Sequence, residues 1–289
     1  MMNYQECFEK GKASLSEAEI EEAALDARLL LEHVCGTNRN YLLVHGNNEV
    51  TAEQEACYFQ KIAVRAKRIP LQHIIGMQNF MGLDFQVNEH VLIPRQDTEI
   101  LVEEVLREMI DDSRILDMCT GSGCILISLL HYSNRCEGVG ADISEKALEM
   151  AEKNARQLLG HKGKEISYRF VQSDLFENLE GKFDIIVSNP PYIRSEVIDT
   201  LMPEVRDHEP RQALDGTSDG IYFYRRIVEE SKGFLKYGGR LYFEIGYDQA
   251  VEVSDLMEQA GFTDIHTVKD YAGLDRVVYG RKMREVDNV

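Results

Sequence analysis

The chain has 289 residues, 44% of them hydrophobic, which is material for one large domain and a smaller companion. Lys and Arg number 32 against 50 Asp and Glu, a formal net charge of −18, so a phosphate backbone or an anionic membrane would repel the chain as a whole. Cys7, Cys35, Cys57, Cys119, Cys124 and Cys136 form no C-x-x-C pair and read as reduced thiols.

Residues 1–78 read as a small all-α domain. Ser16-x-x-Glu19 and Thr51-x-x-Gln54 are capping boxes, the first expected to open the helix carrying Leu29, Leu30 and Val34, the second the helix carrying Ala56, Phe59, Ile62, Ala63 and Ala66. Gly36 is the expected stop of the first. Residues 79–97 change texture: Phe80, Leu83, Phe85 and Val87, interleaved with Gly82, Asp84 and Gln86, predict a β-hairpin linker. From residue 98 to 289 short apolar runs alternate with helical segments, as βαβ units require. Asp97 is placed to cap a helix from about Glu99 to Met109. Strands are expected at Arg114–Met118, Gly138–Asp142, Ile166–Val171, Phe183–Ser188 and Gly239–Ile245. The intervening helices fall near Ile125–His131, after Ser144 up to Gly160, at Ile221–Leu235 and at Gln249–Ala260. Ile265–Lys269 and Arg276–Arg281, joined through Gly273, predict an antiparallel hairpin at the sheet edge. The N-terminus lacks a basic segment followed by an apolar run, and no span of about 18 uncharged apolar residues occurs, so cytoplasmic residence without a membrane partner is expected.

In such a sheet ligands bind beyond the carboxyl ends of the strands. The first strand runs into Asp117-Met118-Cys119-Thr120-Gly121-Ser122-Gly123, a small-residue turn that lets a cofactor approach the backbone. It matches neither G-x-G-x-x-G nor a Walker phosphate loop, which weighs against dinucleotides and nucleoside triphosphates. The second strand ends in Asp142, about 20 residues on, the spacing at which an acid accepts from ribose hydroxyls. After the third strand, Asp174 could accept from an exocyclic adenine amine, with Leu175 covering the ring. An acidic cleft of this kind suits a cationic sulfonium cofactor better than a pyrophosphate.

The fourth strand ends in Asn189-Pro190-Pro191-Tyr192, the most specific signal in the chain. Two prolines stiffen the loop and lack N–H groups, so the carbonyls of Asn189 and Pro190 are freer to bind a ligand. With the Asn189 side-chain oxygen they could take both hydrogens of a planar –NH₂ group, while Tyr192 packs on its face. The eight histidines show no H-E-x-x-H spacing, and no metal site is expected.

In this order, Asp117 to Gly123, Asp142 and Asn189 to Tyr192 resemble the class I S-adenosylmethionine-dependent methyltransferases that alkylate amide or amino nitrogens. Arg68-Ile69-Pro70-Leu71-Gln72, Val91 to Glu99, Glu209-Pro210-x-x-Ala213-Leu214 and Gly273-Leu274-Asp275-Arg276-Val277-Val278 narrow the resemblance to the peptide chain release factor glutamine methyltransferases. The resemblance covers essentially the whole chain. It implies a Rossmann-like sheet with an antiparallel C-terminal hairpin at 98–289 and a helical substrate-recognition domain at 1–78. It further implies cofactor contacts from Cys119, Thr120, Gly121, Ser122, Gly123, Asp142, Leu175 and Asn189, to which the reading of the segment after the third strand adds Asp174. The substrate, the glutamine of a release factor's Gly-Gly-Gln loop, would meet Asn189, Pro190, Pro191 and Tyr192. Asn189, Pro190 and Tyr192 would carry the chemistry, with no strong general base required. Two residues depart from the family pattern. Cys119 replaces the usual first glycine of the turn; it is small, and binding is expected to survive with a negative φ there. Gln96 replaces a second proline and is expected to loosen the Arg95 loop. A ribosomal-protein glutamine methyltransferase would share the catalytic loop. A nucleic-acid amino-methyltransferase would need a basic groove, for which Arg65-Ala66-Lys67-Arg68 is the nearest candidate, and direct nucleic-acid binding is not expected. A non-catalytic cofactor-binding protein would have little use for the Asn189–Tyr192 loop.

Overall fold

A computed structural model describes residues 2–160 and 166–283; residues 161–165 and 284–289 of the range assigned to the larger domain lie outside them. The chain divides into two units, Met1–Met77 with Met202–His208, and Gln78–Leu201 with Glu209–Val289.

The first unit is helical: α1 (Tyr4–Glu17), α2 (Ala23–Cys35), α3 (Arg39–His45), α4 (Ala52–Arg65) and α5 (Leu71–Ile75). The Thr51 capping box opens α4 as expected, the Thr51 hydroxyl accepting from Gln54 N–H and the Gln54 side chain accepting in return. Gly36, at φ 61°, ends α2. The Ser16 box is overturned. Ser16 lies in the last turn of α1, and α2 starts at Glu22 without a side-chain cap. Cys7, Gly11 and Leu15 repeat every four residues and are all buried, so packing carries α1 through the capping signal. The box that operates here is Asn3 with Glu6. Gly11 is obligatory, because a Cβ there would lie 1.9 Å from the Tyr58 hydroxyl oxygen.

An ion cluster ties the short helix Pro203–Arg206 into this unit. Arg65 Nε donates to Asp26 (2.7 Å), and Nη1 of both Arg65 and Arg68 donates to Glu204 Oε1 (3.0 Å each). The Arg65, Asp26 and Glu204 side chains are only 9%, 8% and 12% exposed, and removing the Arg65 cation strands Asp26 in a place with little water and leaves Glu204 to Arg68. Arg65→Met is therefore expected to cost about 3–5 kcal/mol of stability. Thermal denaturation checks this, and an unchanged midpoint would refute it.

The second unit begins with a hairpin, β1 (Met77–Phe80) and β2 (Leu83–Gln86), whose Phe80 and Phe85 rings meet edge to face and are buried among residues of the following helices. Helix α6 (Gln96–Glu108) starts earlier than expected, and Arg95 rather than Asp97 is its N-cap. Asp97 instead joins Glu99 in the first turn, where carboxylates complement the helix dipole. Then come β3 (Arg114–Met118), α7 (Cys124–Tyr132), β4 (Glu137–Asp142), α8 (Glu145–Leu159, capped by Ser144), β5 (Ser167–Gln172), β6 (Phe183–Ser188) and α9 (Ser195–Ile198). After the Pro203–Arg206 helix, α10, follow α11 (Arg211–Leu214), α12 (Tyr222–Ser231), β7 (Leu235–Glu244), α13 (Ala250–Gln259), β8 (Phe262–Lys269) and β9 (Asp275–Lys282).

The seven-stranded sheet has the order β5-β4-β3-β6-β7-β9-β8. Strands β3 to β7 are mutually parallel, and β9 runs antiparallel to β7 and β8. The Rossmann-like α/β class with its antiparallel C-terminal hairpin is thus as expected. Strand β7 starts at Leu235 rather than Gly239, because Leu235 pairs with Phe183 before the register shifts; the preceding helix correspondingly stops at Ser231 instead of reaching Leu235. The strand order reverses between β3 and β6, which places the topological switch point there. Among the described residues no helix is long and apolar enough to cross a membrane.

Candidate cofactor and acceptor site

A cavity of about 320 Å³ opens at this switch point, within the range of small-molecule sites. Its walls come from the ends of four strands: Met118 and Cys119 at the end of β3, Ala141 and Asp142 at the end of β4, Asp174 and Leu175 after β5, and Asn189 and Pro191 after β6. Of the residues expected to contact the cofactor, Cys119, Gly121, Asp142, Asp174, Leu175 and Asn189 line it. Thr120, Ser122 and Gly123 stand behind the wall and shape the turn. Thr120 Oγ1 donates to Asp117 Oδ2 (2.6 Å), Ser122 O accepts from Asn154 Nδ2 (3.0 Å), and Gly123 N–H donates to Thr120 O (2.8 Å). Asp117 is fully buried, its Oδ1 has no hydrogen-bond partner among the described residues, and burial raises its carboxyl to about 7.

The backbone of the turn is left-handed at Cys119 (φ 63°), Gly121 (55°) and Gly123 (79°). A Cβ on Gly121 would meet nothing within 4 Å, so the turn presents open backbone to a ligand, whereas one on Gly123 would lie 2.8 Å from Ile127 of α7. The negative φ expected at Cys119 is overturned. The turn needs a left-handed residue there to reach Thr120, whose N–H donates to Ala141 O at the end of β4 (3.0 Å). A side chain in that region costs about 1–2 kcal/mol. Cys119→Gly is therefore expected to be about 1 kcal/mol more stable than Cys119→Ala, as chemical denaturation would measure; equal stabilities would show the strain to be relieved elsewhere.

Asp142 serves two neighbours at once: Oδ2 accepts from Gly121 N–H and Oδ1 from Ser144 N–H, each at 2.9 Å. Burial pushes its carboxyl above the usual carboxylate range. Asp174 is paired, its Oδ1 accepting from Arg226 Nη1 of α12 (2.8 Å), and Arg226 also lines the cavity. Leu175, at φ 48°, is buried at the cavity wall.

In the loop after β6, Pro190 is buried and Pro191 reaches the cavity wall. Asn189 Nδ2 donates to Thr98 Oγ1 (3.4 Å), and the Tyr192 hydroxyl donates to Glu244 Oε1 (3.4 Å). The loop is clamped from outside: Gln249 Nε2 donates to Tyr192 O (3.1 Å), and a Cβ on Gly216 would lie 2.7 Å from Tyr192 Cα. Gln96 occupies the first turn of α6, and the preceding loop is held by an Arg95 to Glu209 ion pair (2.5 Å). Sequence reasoning missed Thr98, Asn154, Arg226 and Glu244. Of these only Thr98 lay in a segment already singled out, and nothing local marks the others.

A switch-point cavity walled by a glycine turn, Asp142 and the Asn189–Tyr192 loop, on a parallel sheet closed by an antiparallel C-terminal hairpin, is the architecture of a class I methyltransferase. The comparisons agree. Residues 6–76 match the PrmC N-terminal domain and residues 95–205 the methyltransferase small domain. The release factor glutamine methyltransferase of Clostridium botulinum is 40% identical over 278 residues, covering 94% of this chain and 97% of that protein. That of Clostridium acetobutylicum is 42% identical, covering 96% and 98%. A methyltransferase from Pyrococcus furiosus, 16% identical with a TM-score of 0.54 over 77% of this chain and 100% of its own, shares the fold. The chain belongs to the release factor glutamine methyltransferase family.

Proposed function

We propose that the protein transfers a methyl group from S-adenosylmethionine to the side-chain amide nitrogen of the glutamine in the Gly-Gly-Gln motif of peptide chain release factors, acting in translation termination in the cytoplasm. The observation that carries this is the placement of Asn189 and Pro191 in the same cavity wall as Cys119, Gly121 and Asp142. One cavity therefore offers a nucleoside end and an amide end. The names of the relatives support release factors as partners, and the helical residues 1–78 are proposed to share in recognising them.

The residues present fit S-adenosylmethionine. Open backbone at Gly121 and the Asp142 carboxylate suit a ribose, while Leu175 and Phe223 offer apolar cover for a purine. When bound, the cofactor supplies a methyl group made electrophilic by a sulfonium. A glutamine amide is a poor nucleophile because its lone pair is delocalised into the carbonyl, so the protein's contribution is orientation and charge stabilisation. The Asn189 side-chain oxygen and the Pro190 carbonyl accept the two N–H bonds, holding the nitrogen toward the methyl group and stabilising the positive charge that develops on it. Tyr192 supports that loop from its bond to Glu244. The test is incubation with methyl-labelled S-adenosylmethionine and a purified bacterial release factor, followed by peptide mass spectrometry. Label on the Gly-Gly-Gln glutamine is expected. Transfer only to a ribosomal protein or a nucleic acid would overturn the substrate.

A further inference from the structure

A carboxylate in a cavity wall selects an –NH₂ group only if one of its oxygens is turned to the ligand and kept there. Asp174 lines the cavity but cannot do this alone, since its side chain is 42% exposed and its two oxygens are equivalent. The restraint comes from α12. Arg226, which also lines the cavity, donates from Nη1 to Asp174 Oδ1 (2.8 Å), while Oδ2 accepts from no group among the described residues. Arg226 is itself held. Its Nε donates to Glu230 Oε1 (3.1 Å), one turn further along the same helix, and its guanidinium carbon lies 6.0 Å from the centre of the Tyr222 ring. Because a guanidinium is planar with rigidly spaced donors, fixing Nε also aims Nη1. We infer that Arg226 is a positioning residue for the nucleoside: by occupying Asp174 Oδ1 it leaves Oδ2 to accept from the exocyclic amine of an adenine, and it thereby sets the selection of adenine over a purine with an oxygen at that place. This rests on the reading of the cavity as the S-adenosylmethionine site.

The selection follows from hydrogen-bonding sense. The adenine amine donates, whereas hypoxanthine places a carbonyl oxygen there, so a carboxylate facing it loses a bond and meets another acceptor. Without Arg226 the Asp174 side chain turns freely in water and has to be ordered by the nucleoside as it binds, which costs affinity for adenine alone. The geometry also dictates what an amide would do at this position. In Asp174→Asn the side-chain oxygen must go to Arg226, because a guanidinium only donates, and the –NH₂ end is left for the cavity. That end suits a carbonyl oxygen and opposes an amine.

The test is calorimetric titration of the full-length protein with S-adenosylhomocysteine and with S-inosylhomocysteine, whose base carries a carbonyl oxygen in place of the amine and an N–H at the adjoining ring nitrogen. Wild type is expected to prefer the adenosyl ligand about 100-fold or more. Arg226→Met should weaken that ligand about 10-fold and leave the inosyl ligand nearly unchanged, and Arg226→Lys, which keeps one donor for Asp174, should fall between. Asp174→Asn should shift the ratio about 100-fold or more toward the inosyl ligand, and adding Arg226→Met should remove most of that gain. A helix that Arg226 merely props in place would lose both ligands alike, so an unchanged ratio in Arg226→Met overturns the inference. So does an unshifted ratio in the near-isosteric Asp174→Asn, which keeps the test decisive should Arg226→Met fold poorly. Binding of neither ligand by wild type would instead overturn the reading of the cavity as a cofactor site.

Discussion

Replacing Asn189 with alanine is expected to lower turnover by about 100-fold or more while leaving the protein folded, a loss of the size seen when one preorganised polar group is removed from an active site. Asn189 follows directly on β6, is partly exposed at the cavity wall and is held by one weak side-chain bond, so its removal takes little from the fold. What it removes is an acceptor whose orientation is set before substrate arrives. In water the glutamine amide would have to be oriented from a freely tumbling state; here the loop is already stiffened by Pro190 and Pro191 and pinned at Tyr192 by Gln249 and Gly216. The effect should fall mainly on kcat, because cofactor contacts from Cys119, Gly121 and Asp142 remain. Initial-rate kinetics with a release factor, paired with calorimetric titration of S-adenosylmethionine, would show it. Wild-type turnover in Asn189→Ala would sink the acceptor role.

Asp142→Ala should act at the other end of the cavity, weakening S-adenosylmethionine binding by about 10- to 100-fold, the worth of one or two hydrogen bonds to a charged group. The carboxylate already accepts from the N–H groups of Gly121 and Ser144, so alanine both deletes a ribose acceptor and frees the cofactor turn from the start of α8. Asp142→Asn can keep the acceptor but must turn an –NH₂ group toward one of those two N–H donors, and should fall between. The same logic fixes a pH dependence. Burial raises the Asp142 carboxyl, so protonation on acidification comes earlier than for an exposed aspartate, and cofactor affinity should decline as pH falls through that raised value. Calorimetry across pH on wild type and Asp142→Asn separates this from other titrating groups, since only the wild type should show the decline. Equal affinities for wild type and Asp142→Ala would remove Asp142 from the site.

Much of this architecture is legible in the amino-acid order because its signals are local. Strands β3 and β6 begin and end where the apolar runs and the polar breaks place them, Arg114–Met118 and Phe183–Ser188. The Thr51 capping box, the Gly36 stop and the Ser144 cap involve atoms within three or four residues of one another, so one stretch of chain contains the whole interaction. The site motifs are legible for a related reason: in a parallel sheet every strand's carboxyl end faces the same edge, so four separate post-strand segments converge once the strands are recognised.

The failures mark where a local pattern competes with a distant one. Ser16-x-x-Glu19 has the form of a cap, yet burial of Leu15 against the helical core keeps α1 running through it. Cys119 carries no sign of its left-handed backbone, which follows from the demand that the turn after β3 meet the end of β4. Asp174 reads as a free acceptor until α12 brings Arg226 to it.

The sequence by itself determined the class of fold, the order of its elements and the place of the Asn189–Tyr192 loop after the fourth strand, because periodicity, caps and rigid dipeptides are short-range properties of the chain. The tertiary structure alone decided which charges are buried together, Arg65 with Asp26 and Glu204, and which side chains bond the Asn189–Tyr192 loop, Thr98 to Asn189 and Glu244 to Tyr192. Those partners lie 39 to 139 residues apart along the chain, the Asn189 to Thr98 bond spanning 91. The strength of such pairs depends on how little water reaches them, and the exclusion of water is a property of the packed fold rather than of any segment within it.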